Sequence, residues 1–396
     1  MELLRGQSFV INQWCEFDKK HRMAHALGIP MNTFLTCPVL DLRGSPFERG
    51  RAHGAAVRDL VAGMVEAHFA FLEFSARHVV GLELDREKIL RVAGQFLPAC
   101  ERFAPWLVEE VRGIAEGSGL PFRAILSLNT FIDIADWVRP ATAGNYAAGG
   151  CTTYGAGPPA TRDGEVYLGQ NFDTKAAFEP FVVALRVEAD DAPPAWVASF
   201  AGVVGCAGIN AAGLGVVINH LNMADARPGV PFTFAVRALL RETTTEAALA
   251  SLARSERASG INYLVGDERA LCTAETSATK FEILTPQDGW LAHANHCTAP
   301  DLQSLETVRS EGSLQRGGRA AECMAASAGR IDPERLSEIA CDHVGTADSV
   351  CSHPDPDAPR LRQYQTCFAV VLEPKARAME MFVGSPCAGR RMRLAL

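Results

Sequence analysis

The sequence predicts an α+β protein, a four-layer αββα sandwich in which two antiparallel sheets are covered by helices on both sides. The first 140 or so residues carry apolar positions at helical spacing, and from Cys151 onward short β-prone runs alternate with turn signals around a helical block. No linker longer than a surface loop separates these textures, so parts 1–150 and 151–396 are expected to form one folded body.

Residues 1–36 are mixed and turn-prone, and read as an N-terminal extension packed on the main body. A short strand at 39–42 is followed by Gly44-Ser45-Pro46, which leads into helices. Over 55–78 the residues Val57, Leu60, Val61, Met64, Val65, Phe69, Phe71 and Leu72 mark one apolar face. Further helices are expected at 89–103, at 107–116 closed by Gly117-Ser118-Gly119, and at 124–135. Strands are expected at 151–154 and 166–172, joined through the turn Arg162-Asp163-Gly164-Glu165. More follow at 181–187, 196–200, 203–209 and 214–219, then one or two helices over 232–252. Strands return at 261–265, 270–275, 280–284 and 290–294, and helices at 302–309, 318–328 and 333–343. Two final strands are expected at 366–372 and 378–383.

Composition narrows the class. The 396 residues are 48% hydrophobic and 21% charged, which is globular. The net charge of −8 and the lack of a Lys/Arg tract argue against a nucleic-acid partner. No apolar run approaches the roughly 20 residues of a membrane span. The start, Met1-Glu2-Leu3-Leu4-Arg5, lacks the plan of a secretory signal, so a cytoplasmic location is expected. The 12 cysteines are scattered, and most read as buried free thiols.

One cysteine differs in its company. Gly149-Gly150-Cys151-Thr152-Thr153-Tyr154 places a thiol directly after two glycines, whose backbone tolerates the geometry that attack on the preceding carbonyl requires. Cleavage at Gly150–Cys151 would make Cys151 an N-terminal nucleophile. Its α-amine, with an ordinary pKa of roughly 7.7–8.0, would then serve as base to its own thiol. Asp173, in Gly169-Gln170-Asn171-Phe172-Asp173 on the next strand, would orient that amine, and Asn295 would hold the oxyanion.

These two segments together resemble the β-subunit start of the penicillin acyltransferase family, self-processing N-terminal nucleophile hydrolases distantly related to choloylglycine hydrolases. The resemblance continues through Gly208-Ile209-Asn210-Ala211-Ala212-Gly213-Leu214, Val217-Ile218-Asn219, His293-Ala294-Asn295-His296-Cys297 and Ser349-Val350-Cys351-Ser352-His353-Pro354-Asp355 to Gly384-Ser385-Pro386. Upstream, Glu48-Arg49-Gly50-Arg51-Ala52-His53-Gly54 and Gly113-Ile114-Ala115-Glu116-Gly117 are similar to the family's α-subunit.

It implies the αββα fold of that class, a cut at Gly150–Cys151, and α and β fragments that stay together as a heterodimer. It assigns Cys151 as nucleophile, Asp173 as orienting acid, Asn295 as oxyanion donor and Ser277 as a residue that influences processing. Thr153, Asn171, Asn219, His220 and His296 are candidate substrate-binding residues. The family's Ser-Arg pair has no counterpart in Arg360-Leu361-Arg362-Gln363-Tyr364-Gln365-Thr366, which leaves Arg360 and Arg362 as candidate substitutes.

The expected substrate is a small N-acyl amide, with no cofactor and no resident metal; a homo-oligomer stays open. An acyl-coenzyme A-dependent N-acyltransferase on the same site is the alternative. A second alternative is an uncut cysteine hydrolase with His293 or His296 as base, and a third is a non-enzymatic binding protein on this scaffold. Cys341, His343, Cys351 and His353 form a Cys/His set, but Cys-x-His is not a usual zinc spacing, so the set reads as a helix end and an ordered loop.

Overall fold

In the computed structural model, which describes residues 37–138, 150–345, 349–358 and 360–396, fourteen strands form two sheets. One sheet has eight strands in the order β1 (Val39–Arg43), β4 (Val182–Glu188), β5 (Ala195–Phe200), β6 (Ala207–Asn210), β7 (Gly215–Leu221), β8 (Gly260–Gly266), β9 (Leu271–Thr276) and β10 (Phe281–Leu284). The other has six, in the order β11 (Trp290–His293), β2 (Thr152–Ala156), β3 (Tyr167–Lys175), β12 (Tyr364–Glu373), β13 (Ala378–Val383) and β14 (Arg391–Ala395). Every pairing is antiparallel except β1 with β4. That pair joins a strand from before residue 150 to one from after it, so a single sheet spans both parts of the chain.

The sheets face each other through interdigitated apolar side chains. Phe172 of β3 stacks on Phe368 of β12 at 4.7 Å, and both meet Phe200 of β5 across the gap. The outer face of the six-stranded sheet buries Tyr154, Ala369, Val371 and Phe382 under two helices, 311–327 and 333–340, through Ala320, Met324, Leu336 and Ile339. The helices of the first part and those at 232–253 lie on the other side, where Asn129 bonds to Gly202 and Val204 beside the end of β5. The result is the four-layer α+β sandwich. Among the described residues no helix is long and apolar enough to cross a membrane.

A helix α1 (Pro46–Ala56) precedes the run expected over 55–78, which is the single helix α2 (Arg58–Ser75). Ser45 starts α1 early through a capping box with Glu48. Beyond α3 (Arg86–Gly94) and α4 (Leu97–Phe103), α5 (Pro105–Ser118) crosses α1 with almost no space between the backbones. A Cβ added at Gly50 would lie 1.9 Å from Glu110 O, and one at Gly113 would lie 2.1 Å from Phe47 O. Only glycine permits this crossing. The buried Glu110 carboxylate next to it takes both terminal nitrogens of Arg237, at 2.8 and 3.1 Å, and Arg49 Nε at 3.4 Å.

Several expectations need correction. The helix expected at 302–309 stops after Pro300–Gln303, because Leu305 O and Thr307 N bond to the 222–224 loop instead. The next helix starts at Glu311, seven residues before the expected 318, because Ser310 caps it. The strand expected at 203–209 is only Ala207–Asn210, since 201–206 turn around Gly202, whose φ is +85°. The edge strand Arg391–Ala395 was not anticipated; its charged, half-exposed Arg-Met-Arg start lacks an apolar strand signature. The N-terminal extension, Gly149 and the Arg360 side chain lie outside the described residues.

Gly113→Ala is expected to lower unfolding free energy by at least ~1–3 kcal/mol, because the new methyl overlaps backbone that cannot move aside. Gly94→Ala is the control. Its Cβ would meet only the Arg123 guanidinium at 3.9 Å, and it should be neutral or slightly stabilising in urea denaturation.

Candidate active site

The site begins with the β2–β3 hairpin. Thr152 pairs with Asn171, which sets Cys151 one step before β2 and beside the end of β3. Gly150 N donates to Asp173 O at 3.3 Å, and Cys151 Sγ lies 3.8 Å from the same oxygen. Across the inter-sheet gap, Asn219 Nδ2 donates to Cys151 O at 3.0 Å. The local pairing therefore brings Cys151 and Asp173 together, and the opposite sheet fixes the Cys151 backbone.

Both groups are buried, and their proton affinities follow. Burial pushes the Cys151 thiol up to about 12, and the neighbouring Asp173 adds to that push. Burial likewise pushes Asp173 up to about 7, against the opposing pull of Arg316 and of Thr366 Oγ1, which donates to Oδ1 at 2.6 Å. Asp173 Oδ2 is buried with no hydrogen-bond partner among the described residues. It sits beside Gly150, where a Cβ would be 3.5 Å from it.

Asn295 follows β11 and is held on three sides. Its N donates to Ser313 Oγ at 2.8 Å, its Nδ2 to His220 O at 2.9 Å, and its Oδ1 accepts from Arg316 Nη2 at 3.0 Å. Because arginine can only donate, that contact fixes which end of the amide is oxygen. Arg316 was not singled out from the sequence. It projects from the helix Glu311–Ser327 and is buried; its Cζ would be 3.7 Å from a Gly150 Cβ. The available signal was an arginine before Gly317-Gly318 within a helix, and Gly317 keeps a Cβ from crowding His296 at 3.1 Å.

The other candidates are distributed differently. Thr153 and Asn219 share a hydrogen bond of 2.6 Å, and Asn262 donates to the same Asn219 oxygen at 3.1 Å, so both belong to the inter-sheet network that supports Cys151. Asn171 points to the other face, donating to Ala340 O and Val350 O and accepting from Tyr154 OH. His220 is buried against Asp136 Oδ2 at 2.6 Å. These engagements give Asn171 and His220 structural contacts. Arg362 lies with its guanidinium 5.6 Å from the Phe74 ring centre.

Ser277 is in the turn after β9, donating to Asp225 at 2.8 Å and accepting from Thr279 N and Lys280 N. The register sets its neighbour Thr276 two strands along from His220.

The two histidines proposed as alternative bases are also engaged. His293 has Nδ1 2.7 Å from Ala294 O and Nε2 2.8 Å from Glu275 Oε1. Burial alone would raise Glu275, but His293 and the Thr298 hydroxyl and N–H outweigh it and hold the carboxylate down at about 2. His296 Nδ1 is 2.8 Å from Ser313 Oγ, and burial pushes the ring down to about 4. None of these hydrogen bonds reaches Cys151.

Cys151, at the head of a strand hairpin, thus lies beside the buried Asp173 carboxylate, and Arg316 links the surroundings of Gly150 to the Asn295 amide. The model of the family described as acyl-coenzyme A:6-aminopenicillanic acid acyl-transferase matches residues 160–387, more than half of the chain, including Asp173, Asn295 and Arg316. The chain belongs to that family. A curated relative, the acyl-coenzyme A:6-aminopenicillanic-acid-acyltransferase 40 kDa form of Emericella nidulans, is 26% identical over 283 residues, covering 70% of this chain and 74% of the relative. Among solved structures, a conjugated bile acid hydrolase mutant from Clostridium perfringens aligns at TM-score 0.44 and 11% identity, over 62% of this chain and 92% of that one. Penicillin V acylase from Agrobacterium tumefaciens aligns at TM-score 0.41 and 16% identity, over 59% and 83%.

The raised Asp173 gives a stability signature. Between its unfolded pKa near 4 and its folded value of about 7, the folded chain keeps a proton that the unfolded chain has released, so raising pH through this window costs stability. Asp173→Asn, compared in a Cys151→Ala background, should gain melting temperature relative to its parent from pH 4 to pH 7 and level off above. A difference that stays flat across the window would contradict the assignment.

Proposed function

We propose that the chain is a self-processing cysteine enzyme that cuts Gly150–Cys151 and then forms an acyl-enzyme at Cys151 from a small N-acyl amide. The observation that carries this reading is the unpartnered Asp173 Oδ2 buried beside Gly150. A buried acceptor without a donor is costly, and a new α-ammonium on Cys151 is the donor that cleavage would supply there.

In processing, the Cys151 thiol adds to the Gly150 carbonyl carbon, the C–N bond breaks, and the thiol proton passes to the departing amine. Water then hydrolyses the Gly150 thioester, releasing the carboxylate and the free thiol. In turnover, the α-amine takes the thiol proton, the thiolate attacks the substrate carbonyl, and Asn295 Nδ2 donates to the oxyanion. The leaving amine collects the proton from the α-ammonium, and water releases the acid. Arg316 keeps the Asn295 amide turned for this task by holding its oxygen.

Acyl transfer to an amine is the second reading, favoured by the names of the family and of the Emericella nidulans relative. It uses the same acyl-enzyme, with an amine in place of water at the last step and an acyl thioester as an alternative donor. His293 has both ring nitrogens engaged and His296 has Nδ1 on Ser313 Oγ, and none of these bonds is to Cys151, which gives the His-base reading no support.

Denaturing intact-mass analysis tests processing. From 42.6 kDa, a cut before residue 151 gives pieces of roughly 16 and 26 kDa, whereas Cys151→Ala should stay whole. A wild-type chain that remains full-length after prolonged incubation would refute self-processing. In the processed enzyme, Asn295→Ala should lower kcat on an N-acyl amide by about 10²–10³. Arg316→Leu should lower kcat in the same direction, since the amide loses its orientation, and a kcat equal to wild type would exclude this role.

A further inference from the structure

We propose that His343, Cys351, His353 and Cys387 form a closed structural zinc site. Their donor atoms all lie within 4.8 Å of one another. His353 Nε2 is 3.0 Å from His343 Nε2, 3.6 Å from Cys351 Sγ and 3.4 Å from Cys387 Sγ. Zinc takes imidazole nitrogen at about 2.0–2.1 Å and thiolate sulfur at about 2.3 Å, so a tetrahedron of two of each has edges of roughly 3.3–3.8 Å. The observed separations sit at that scale. A hydrogen bond between two imidazoles would explain one short distance, but not two sulfurs converging on the same nitrogen.

The donors come from three places: the end of the helix Pro333–Ala340, the loop before β12, and the turn Pro386–Ala388 between β13 and β14. This explains why spacing concealed the site. Cys341, the residue that pairs with His343 in sequence, is not in the set; its place is taken by Cys387, 34 residues beyond His353. The expectation of no resident metal is thus revised.

Two thiolates and two neutral imidazoles fit zinc by softness and geometry. Four protein donors fill the tetrahedron, so the role is structural rather than catalytic. Binding displaces one proton from each thiol, and the two thiolates neutralise the cation.

The position also matters for the active site. Ser352, between ligands Cys351 and His353, donates from its N to Thr366 Oγ1 at 3.0 Å, and that hydroxyl donates to Asp173 Oδ1 at 2.6 Å. Thr366 N returns a bond to Ser352 O at 3.1 Å. A metal that pins the 351–353 segment to the 386–388 turn therefore stiffens the support of Asp173 through two hydrogen bonds.

The test is metal analysis of the full chain, purified in a reducing, chelator-free buffer from zinc-supplemented medium. About one zinc per chain is expected, lost in Cys387→Ser and in His353→Ala and retained in Cys341→Ser. Cys387 is exposed on a turn, so its serine variant should keep the wild-type circular dichroism; His353→Ala provides the second reading. Cobalt added to the chelator-treated chain should give the visible bands of a tetrahedral thiolate site, absent from Cys387→Ser. Three results would overturn the proposal: no zinc in the purified chain with none taken up on titration, a full equivalent retained by both ligand variants, or a Cys351–Cys387 disulfide in the unreduced chain.

Discussion

A central strand made largely of polar residues must find partners for them without water, and this constraint organises the surroundings of Cys151. All nine residues of β3 are buried, yet it reads Tyr-Leu-Gly-Gln-Asn-Phe-Asp-Thr-Lys. Its polar side chains recruit partners in several directions. Gln170 reaches Ile218 O in the opposite sheet, Asn171 reaches Ala340 O and Val350 O under the outer helices, and Asp173 takes Thr366 from the neighbouring strand. An apolar strand would pack here as well, but it would not bind the two sheets and the outer helices to one register. That register also sets Cys151 beside Asp173.

The same burial that fixes the site raises the proton affinity of both its groups. A thiol pushed up to about 12 is almost wholly protonated near neutral pH, and Asp173, pushed up to about 7, is only partly charged. Desolvation outweighs the nearby Arg316 in both cases. Under the proposed processing, a cut at Gly150–Cys151 would add a local base for later turnover, the α-amine of Cys151. The cost of burying Asp173 thus reads as strain held for a function.

The sequence was informative where local chemistry and chain order coincide. The β2–β3 hairpin, the residues Cys151 and Asp173 on it, and the layer architecture could be read because Gly-Gly, Thr-Thr and strand alternation act at short range. What could not be read was convergence over distance. Arg316 sits on a helix that looks merely polar, and only its seating against Asn295 and Gly150 gives it meaning. Cys387 looked like a stray cysteine because its partners His343, Cys351 and His353 lie dozens of residues upstream. Asn171 and His220 are the converse case: polar residues near Cys151 suggested substrate contacts, and the contacts the structure gives them are a helix end and Asp136.

A chain cut at Gly150–Cys151 would lose one peptide bond and keep nearly all that holds its parts together. Across that point β1 pairs with β4, Glu110 is gripped by Arg237, and Asn129 bridges Gly202 O and Val204 N. His53 Nε2 accepts from Gly202 N, Ser259 donates to Asp133, and His220 meets Asp136. These contacts are buried, so separating the fragments would leave charges and polar groups unpaired on both sides, at about 3–5 kcal/mol for the Glu110 pair alone. The helical part is therefore no detachable leader. It supplies an edge strand, a carboxylate and backbone-binding amides without which the sheet carrying Asn219 has no complete outer layer, and Asn219 is what holds Cys151 in place.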